Sequence, residues 1–557
     1  MERILEPGDL ITALSPQPWS LLQDGLRPSD PRHPLRRAGA VAGKMEVWLE
    51  RMHLSLRNEG CGVQSSRSTS RPNGATNGIL AVIALVPTVG LLPWLDKPMF
   101  RDEGGSLYSA HLDWTALGQQ SRVVDLILLP YYSLLHLWIE ISDSIEWLRF
   151  LSVLAFGLTV FIVGHLGTRL GGRRCGEVAA ILVATNPLMI EGGLNVRPYA
   201  LSALAATASV AALIRWLDGN EVRWIWWFFL ASVVSLLLQL FSVLGPLSVL
   251  VAAVALRPQV FRARWRVLIA PIGLLLAATV SSGIFASSQR GQISWIPSFN
   301  GKQLVNAMEG PASGASSSYA ITVLIIAIVS ISLCIRACGR GSFRPTRLEL
   351  ERFTIFLAWA ALPTAILIAV SLLKPVFVDR YVTASAPGLA LAVGLLTARA
   401  FDVTAVRWAI WSRVVMGGFC AGVTALVISA ASVPAAQNVP ENLREAAQYL
   451  ALHVGPGGAA ALTDHSLTAA IDYYLREDHK TVASWPQLAV QPYIEGLDLR
   501  QDRKTLKRAP NDIWLVDDGS VTGTPAFIRL LTHDGYIRTD TTHFVGVDVV
   551  HFRRTAS

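Results

Sequence analysis

Apolar runs long enough to cross a bilayer recur along this chain, and they constrain its fold more than any other feature. A hydrocarbon core about 30 Å thick needs about 20 residues of helix. Eleven stretches approach that length: 78–95, 148–167, 177–192, 200–217, 224–240, 243–256, 267–285, 318–335, 353–372, 381–397 and 414–433. The sixth is short for a full crossing. Of the 557 residues, 52% are hydrophobic and 16% charged, against about 25% charged in soluble domains. A disordered chain, a coiled coil, a zinc-finger array and an ordinary cytosolic enzyme are therefore excluded. The net charge of +8 comes from basic residues in short loops between apolar runs. That is the pattern of membrane topology, not of nucleic-acid binding.

Segment 124–141 (VDLILLPYYSLLHLWIEI) has the length of a span but holds Asp125, Pro130, His136 and Glu140. Each charge at membrane depth costs about 2.5–3.5 kcal/mol. Loop parity decides the reading. If 124–141 does not cross, the loops with Arg169/Arg173/Arg174, Arg215/Arg223, Arg257/Arg262/Arg264/Arg266, Arg336/Arg340/Arg344/Arg347/Arg352 and Arg399/Arg407/Arg413 share the side of the basic N-terminus. If it crosses, all of them fall outside. The segment therefore reads as an amphipathic helix on the outer interface. The expected protein is a multi-pass membrane protein with a cytosolic N-terminus, a long first external loop (96–147) and an external C-terminus.

Residues 1–77 read as a polar, basic, largely disordered cytosolic tail, 78–433 as the transmembrane domain, and 434–557 as a small extracytoplasmic α/β domain. In that last region ENLREAAQYLALHV has helical spacing, while DIWLVDD and FVGVDVVHF read as strands. Five cysteines, none after residue 433, supply no disulfide framework there. The CxxxC of Cys334 and Cys338 reads as helix packing.

The informative polar cluster is Arg101-Asp102-Glu103-Gly104-Gly105, just past the first span. Asp102 and Glu103 suit the first turn of a helix, where carboxylates favour the dipole. They equally suit a general base at the interface where lipid-linked substrates present their head groups. Asp125 carries the same ambiguity. Tyr132, His136 and Glu140 follow on one helical face that fits either a sugar site or lipid head groups. Arg149, Arg197, Lys374 and Arg380 lie at span ends on the same expected side. Singly they read as snorkelling anchors; together they suggest phosphate binding, since a guanidinium fork matches phosphate bidentately. No Walker loop, GxGxxG, HExxH, paired CxxC or GxSxG is placed to do chemistry.

The stretch from DEGGSLYSAHLDW through VDLILLPYYSLLHLW to GGLNVRPYALSALA resembles the N-terminal half of GT-C glycosyltransferases. KPVFVDRYVTASAPGLALAVG is similar to that family's later segment. The likeness is greatest to the actinobacterial, mycobacterial-type mannosyltransferases related to protein O-mannosyltransferases. It covers roughly residues 78–240 well and implies a GT-C-like fold; with the readings above, the expected architecture is a polytopic α-helical membrane protein of about eleven transmembrane helices, with interfacial helices in the first external loop and a small C-terminal α/β domain. The likeness also implies that Asp102 and Glu103 are catalytic, that Asp125, Tyr131, Tyr132 and His136 line the acceptor or sugar pocket, and that Arg149 contacts donor phosphate. Arg197, Lys374 and Arg380 are further phosphate candidates. Similar sequences often read D-x-x-H at Asp125, where this chain has Leu128.

The expected reaction is inverting transfer of a sugar, with mannose first, from a polyprenyl-phosphate carrier to a hydroxyl of an extracytoplasmic glycan or lipoglycan at the plasma membrane. The start of lipoarabinomannan mannose capping is one candidate. No cofactor, metal or nucleic acid is expected; membrane lipids are. Alternatives are an arabinosyltransferase or a protein O-mannosyltransferase of the same fold and, from another class, a lipid or glycan transporter or flippase. A non-catalytic glycan-binding scaffold is a third.

Overall fold

The computed structural model describes residues 74–288 (save 124), most of 317–407, and 442–555 with interior gaps, together with scattered positions in 289–316 and 418–430. Most of the span expected at 414–433, the tail before residue 74 and Trp485 lie outside the described residues.

Helix α1 (Gly74–Leu91) leads into a polar loop carrying α2 (Arg101–His111), α3 (Trp114–Val123) and α4 (Leu129–Ile139). The helical bundle follows: α5 (Ile145–Gly171), α6 (Arg173–Ala184), α7 (Pro187–Leu194), α8 (Tyr199–Gly219), α9 (Val222–Leu238), α10 (Leu244–Leu256), α11 (Pro258–Ala263), α12 (Trp265–Ser288), α13 (Ser317–Gly339), α14 (Arg347–Ser371) and α15 (Ala386–Arg407). Among the described residues seven helices are long and apolar enough to cross a membrane, or eight when the bent pair α6–α7 counts as one. Helix α9 and the segment Leu240–Leu256 are apolar but shorter. This is a polytopic α-helical membrane protein. The 11-residue α4 extends only about 16 Å, far short of the hydrocarbon thickness.

Local chemistry sets the element ends. The Ser144 hydroxyl accepts Trp147 N–H and starts α5; Gly172, at φ +86°, ends it. Between α6 and α7 the chain bends by 57°. There Asn186 accepts Met189 N–H at 3.1 Å and donates to the Pro311 carbonyl at 2.8 Å, and Pro187 restarts the helix, as proline at a first helical position does. Close crossing of α5 and α6 relies on Gly176, where a Cβ would stand 2.4 Å from the Gly164 carbonyl. Small residues hold membrane helices together in this way.

Helix α5 runs from Arg149 at one end to Arg169 at the other, about 30 Å away. At the Arg169 end, Asp218 meets Arg169 and Arg352, and Glu351 meets Arg257 and Arg347. Arginines from several of the basic loops thus gather at one end of the bundle, opposite Arg149.

The C-terminal part holds α16 (Leu443–His453), α17 (His465–Glu477) and α18 (Thr524–His533) with strands β1 (Gly458–Leu462), β2 (Gln487–Ala489), β3 (Asp512–Asp517), β4 (Tyr536–Phe544) and β5 (Val547–Arg554). The sheet order is β2-β1-β3-β5-β4, parallel among β2, β1 and β3 and antiparallel across β3-β5-β4. This unit shares one apolar core with the loop helices: Leu107, Ala110, Tyr131 and Leu148 pack with Leu450, Leu467, Ile471 and Trp514. Contact is closest at Gly104, where a Cβ would fall 2.2 Å from the Ser466 carbonyl and 3.1 Å from Ala470 Cβ. Gly104→Ala is therefore expected to cost about 1–3 kcal/mol through overpacking, read as a lowered melting temperature. Gly118→Ala, with nothing within 4 Å of its Cβ, should not lower it.

Candidate active site

Two adjacent carboxylates open α2 and part company at once. Glu103 is fully buried against Arg149, also fully buried. Arg149 Nε and Nη2 donate to its two oxygens at 2.9 and 2.6 Å. The remaining guanidinium hydrogens go to the Leu95 and Lys97 carbonyls at 2.6 Å each and to the Pro98 carbonyl at 3.3 Å. Glu103 Oε1 also accepts Val196 N–H at 2.9 Å. Burial alone would push the Glu103 carboxyl up; Arg149, Lys97 and the hydrogen bonds outweigh it and hold it below the usual range. The Lys97 ammonium is lowered by burial to about 8.

All five Arg149 donors are thus engaged within the chain. This corrects the expectation that Arg149 contacts donor phosphate and that Glu103 is catalytic. The pair instead ties the end of the first span, the start of α2 and the start of α5 into one knot, with no donor left for a ligand.

Asp102 points elsewhere. Its side chain is 34% exposed, and Oδ2 lies 3.4 Å from Arg380 Nη1 and 3.7 Å from Arg197 Nη2. Arg197 comes from the turn between α7 and α8, Arg380 from the 3-10 segment Asp379–Ser385 ahead of α15. Arg197 also donates to the Asp102 carbonyl at 3.3 Å, while its buried Nε–H has no acceptor among the described residues. Burial would raise the Asp102 carboxyl, but Arg197, then Arg380 and Arg101, hold it below the ordinary value. A reachable, ionised carboxylate flanked by two guanidinium groups is the result.

Asp125 joins from a third direction. It is one of two non-glycine residues with positive φ among those described, at φ 56°, ψ 32°. Such strain collects at functional sites. Its Oδ2 accepts the Tyr132 hydroxyl at 2.9 Å. Burial raises its carboxyl above the ordinary value, against the pull of Arg197 and of the Tyr132 bond. Asp102, Asp125, Tyr132, Arg197 and Arg380 therefore gather in one place.

Two other expectations, for His136 and Lys374, are corrected, while Tyr131 stays close to Arg197, Glu103 and Tyr199. Tyr131, 1% exposed, belongs to the apolar core joining the loop helices to the C-terminal unit. His136 turns away: its Nδ1 meets the Ala110 carbonyl at 3.0 Å and its ring meets Trp114 edge-on at 4.5 Å, so it braces the end of α2. Lys374 is exposed beyond α14 and has no part in the contacts around Asp102. Two further residues stand beside Arg380, Tyr199 and Tyr381. The Arg380 guanidinium lies 6.0 Å over the Tyr199 ring, and Tyr381 packs on Phe241 at 5.1 Å. The signal was present in Arg197-Pro198-Tyr199 and Arg380-Tyr381, an arginine beside a tyrosine at two helix starts.

Comparison with known proteins places the architecture. No protein-family model and no curated protein matches the chain. Among solved structures, ArnT from Cupriavidus metallidurans in the apo state aligns over 86% of this chain and 98% of its own, with TM-score 0.54 and 11% identity. The fold is GT-C-like. Further matches are ArnT bound to undecaprenyl phosphate (TM-score 0.48, 12% identity, 86% and 98% covered) and the arabinosyltransferase EmbB from Mycobacterium smegmatis (0.38, 15%, 69% and 41%).

Proposed function

We propose that the protein is an inverting glycosyltransferase that takes a sugar, mannose first, from a polyprenyl-phosphate carrier and passes it to a hydroxyl of an extracytoplasmic glycan or lipoglycan. The observation that carries this reading is the partly exposed Asp102 carboxylate held between Arg197 and Arg380. The Asp102 face of the bundle is taken as extracytoplasmic, opposite the arginine-rich end.

In the proposed reaction Asp102 accepts the proton of the acceptor hydroxyl as its oxygen attacks the anomeric carbon. The bond from that carbon to the phosphate oxygen breaks, and polyprenyl phosphate leaves with the electron pair. The phosphodiester carries one negative charge and the departing monoester gains a second. In this proposal Arg197 and Arg380 would stabilise that developing charge as preorganised donors. Asp125, steadied by Tyr132, is suited to orient the acceptor hydroxyl. The scheme calls on no metal. Mannose rests on the sequence resemblance and is tested by offering purified protein polyprenyl-phosphate mannose and polyprenyl-phosphate arabinose with lipoglycan acceptors. Product from the mannose donor supports the reading; product from the arabinose donor alone replaces the sugar.

The arginines also predict a pH effect. The base works ionised, so activity is present above the Asp102 pKa and lost as pH falls through it. Arg197→Gln removes a cation that depresses that pKa. The acid limb of the kcat/KM profile should then move to higher pH, with kcat down about 10²–10³-fold from the lost donor. A limb that stays in place shows that Asp102 is not the titrating base.

A further inference from the structure

The first turn of α2 lacks an ordinary cap. Its N-cap residue is Phe100, which makes no side-chain capping bond, although the first N–H groups of a helix need acceptors from outside it. The Glu103 carboxylate reaches back toward Phe100 N–H at 3.5 Å. One residue earlier, Met99 N–H donates to the Tyr474 hydroxyl at 2.6 Å. Tyr474 is buried and comes from α17 of the C-terminal unit, 375 positions away. Its neighbour Tyr473 accepts Ile145 N–H at 3.1 Å, in the first turn of α5. The two rings meet edge-on at 5.4 Å. Arg444 of α16 lies 5.0 Å from the Tyr474 ring and donates to the Asp96 carbonyl at 3.0 Å. Ser466 presses on Gly104 and Gly105 from the same helix.

We propose that Tyr474 is a positioning residue for sugar transfer: with Tyr473 it locks the start of the Asp102 helix to the start of the Arg149 helix, so the C-terminal unit is part of the catalytic framework. This rests on the transferase reading above. A core aromatic would need only its ring, whereas here two hydroxyls from one helix each take a backbone N–H at the start of a different helix. Those two helices are the ones joined by the Glu103–Arg149 pair. Asp102 lies three residues beyond Met99, so a shift of the Met99 segment carries the carboxylate with it.

The test is Tyr474→Phe, which keeps the ring and removes the oxygen. With polyprenyl-phosphate mannose as donor, kcat should fall about 10–100-fold, the scale set by ångström misplacement of a reacting group, while the donor KM changes less than about twofold, since Arg197 and Arg380 are untouched. Rescue separates positioning from loss of stability. A Cβ at Gly105 would stand 3.7 Å from Ser466 Cβ, within the roughly 3.5–4.5 Å of a disulfide. Oxidising Gly105→Cys with Ser466→Cys in the Tyr474→Phe background should restore most of the lost kcat, and reduction should remove it again. If Tyr474→Phe does not accumulate, Tyr473→Phe is read by the same split of kcat from KM. An unchanged kcat overturns the proposal, and so does a loss that the crosslink fails to recover. A wild-type protein that transfers neither mannose nor arabinose contradicts the transferase reading itself and takes this inference with it.

Discussion

Replacing Arg149 by alanine is expected to empty the membrane of folded protein rather than to slow a working enzyme. The substitution leaves Glu103, fully buried, without its counter-ion, and breaking one side of a buried pair costs about 3–5 kcal/mol. It also strips donors from the Leu95, Lys97 and Pro98 carbonyls, each costing about 1–3 kcal/mol where it stays dry. Against a typical stability of about 5–15 kcal/mol, that sum decides whether the protein folds. Arg149→Lys should recover little, because an ammonium cannot span the bidentate carboxylate and three carbonyls at once. The double replacement Arg149→Met with Glu103→Leu should recover part of the stability, since a buried pair exchanged for apolar groups is often tolerated. Membrane abundance and melting temperature in detergent check this. Normal abundance with a raised donor KM in Arg149→Ala would restore the phosphate role first expected of it.

Asp102→Asn is expected to do the reverse, leaving abundance and melting temperature unchanged while transfer falls about 10²–10⁴-fold, the usual range for a lost general base. Its neighbours make the contrast sharp. Asp102 is one-third exposed and its ion pairs, at 3.4 and 3.7 Å, are long. Longer and less buried than the Glu103–Arg149 contacts, they hold the fold less tightly than that pair does. An amide of the same shape keeps the space filled, and Arg197 still donates to the backbone carbonyl of residue 102, but the amide cannot take a proton. A variant as active as wild type would remove Asp102 from the chemistry.

These opposed outcomes for Arg149 and Asp102 show where sequence reading stops. The apolar runs were legible because a bilayer requires each helix to satisfy its own backbone bonds. Ten of the eleven expected stretches fall on apolar helices or on the bent pair α6–α7. That segment 124–141 is not a full span was legible from its charges, its proline and loop parity, and its helix runs Leu126–Ile139. Arg149 was visible as important but not in its role, because nothing local says whether a guanidinium at a span end faces lipid phosphate or a carboxylate 46 residues away. Glu103 fails for the same reason. His136 and Tyr132 lie one turn apart, yet α4 packs so that one meets the end of α2 and the other Asp125. That is decided by helix packing, which periodicity does not encode. The C-terminal unit read as a separate domain because its strands and helices are self-sufficient in sequence. Its hold on α2 depends on the hydroxyls of Tyr473 and Tyr474 and on two glycines whose small size matters only once Ser466 lies against them.

In the proposed reaction the carboxylate between Arg197 and Arg380 drives transfer from a lipid-linked donor. The most direct measurement is release of polyprenyl phosphate from polyprenyl-phosphate mannose by purified protein, with and without acceptor, in wild type and in Asp102→Asn. Wild type is expected to show acceptor-dependent release matched by glycosylated product of inverted anomeric configuration, and the variant almost none. Equal release by both proteins, or product with retained configuration, would contradict the proposed reaction.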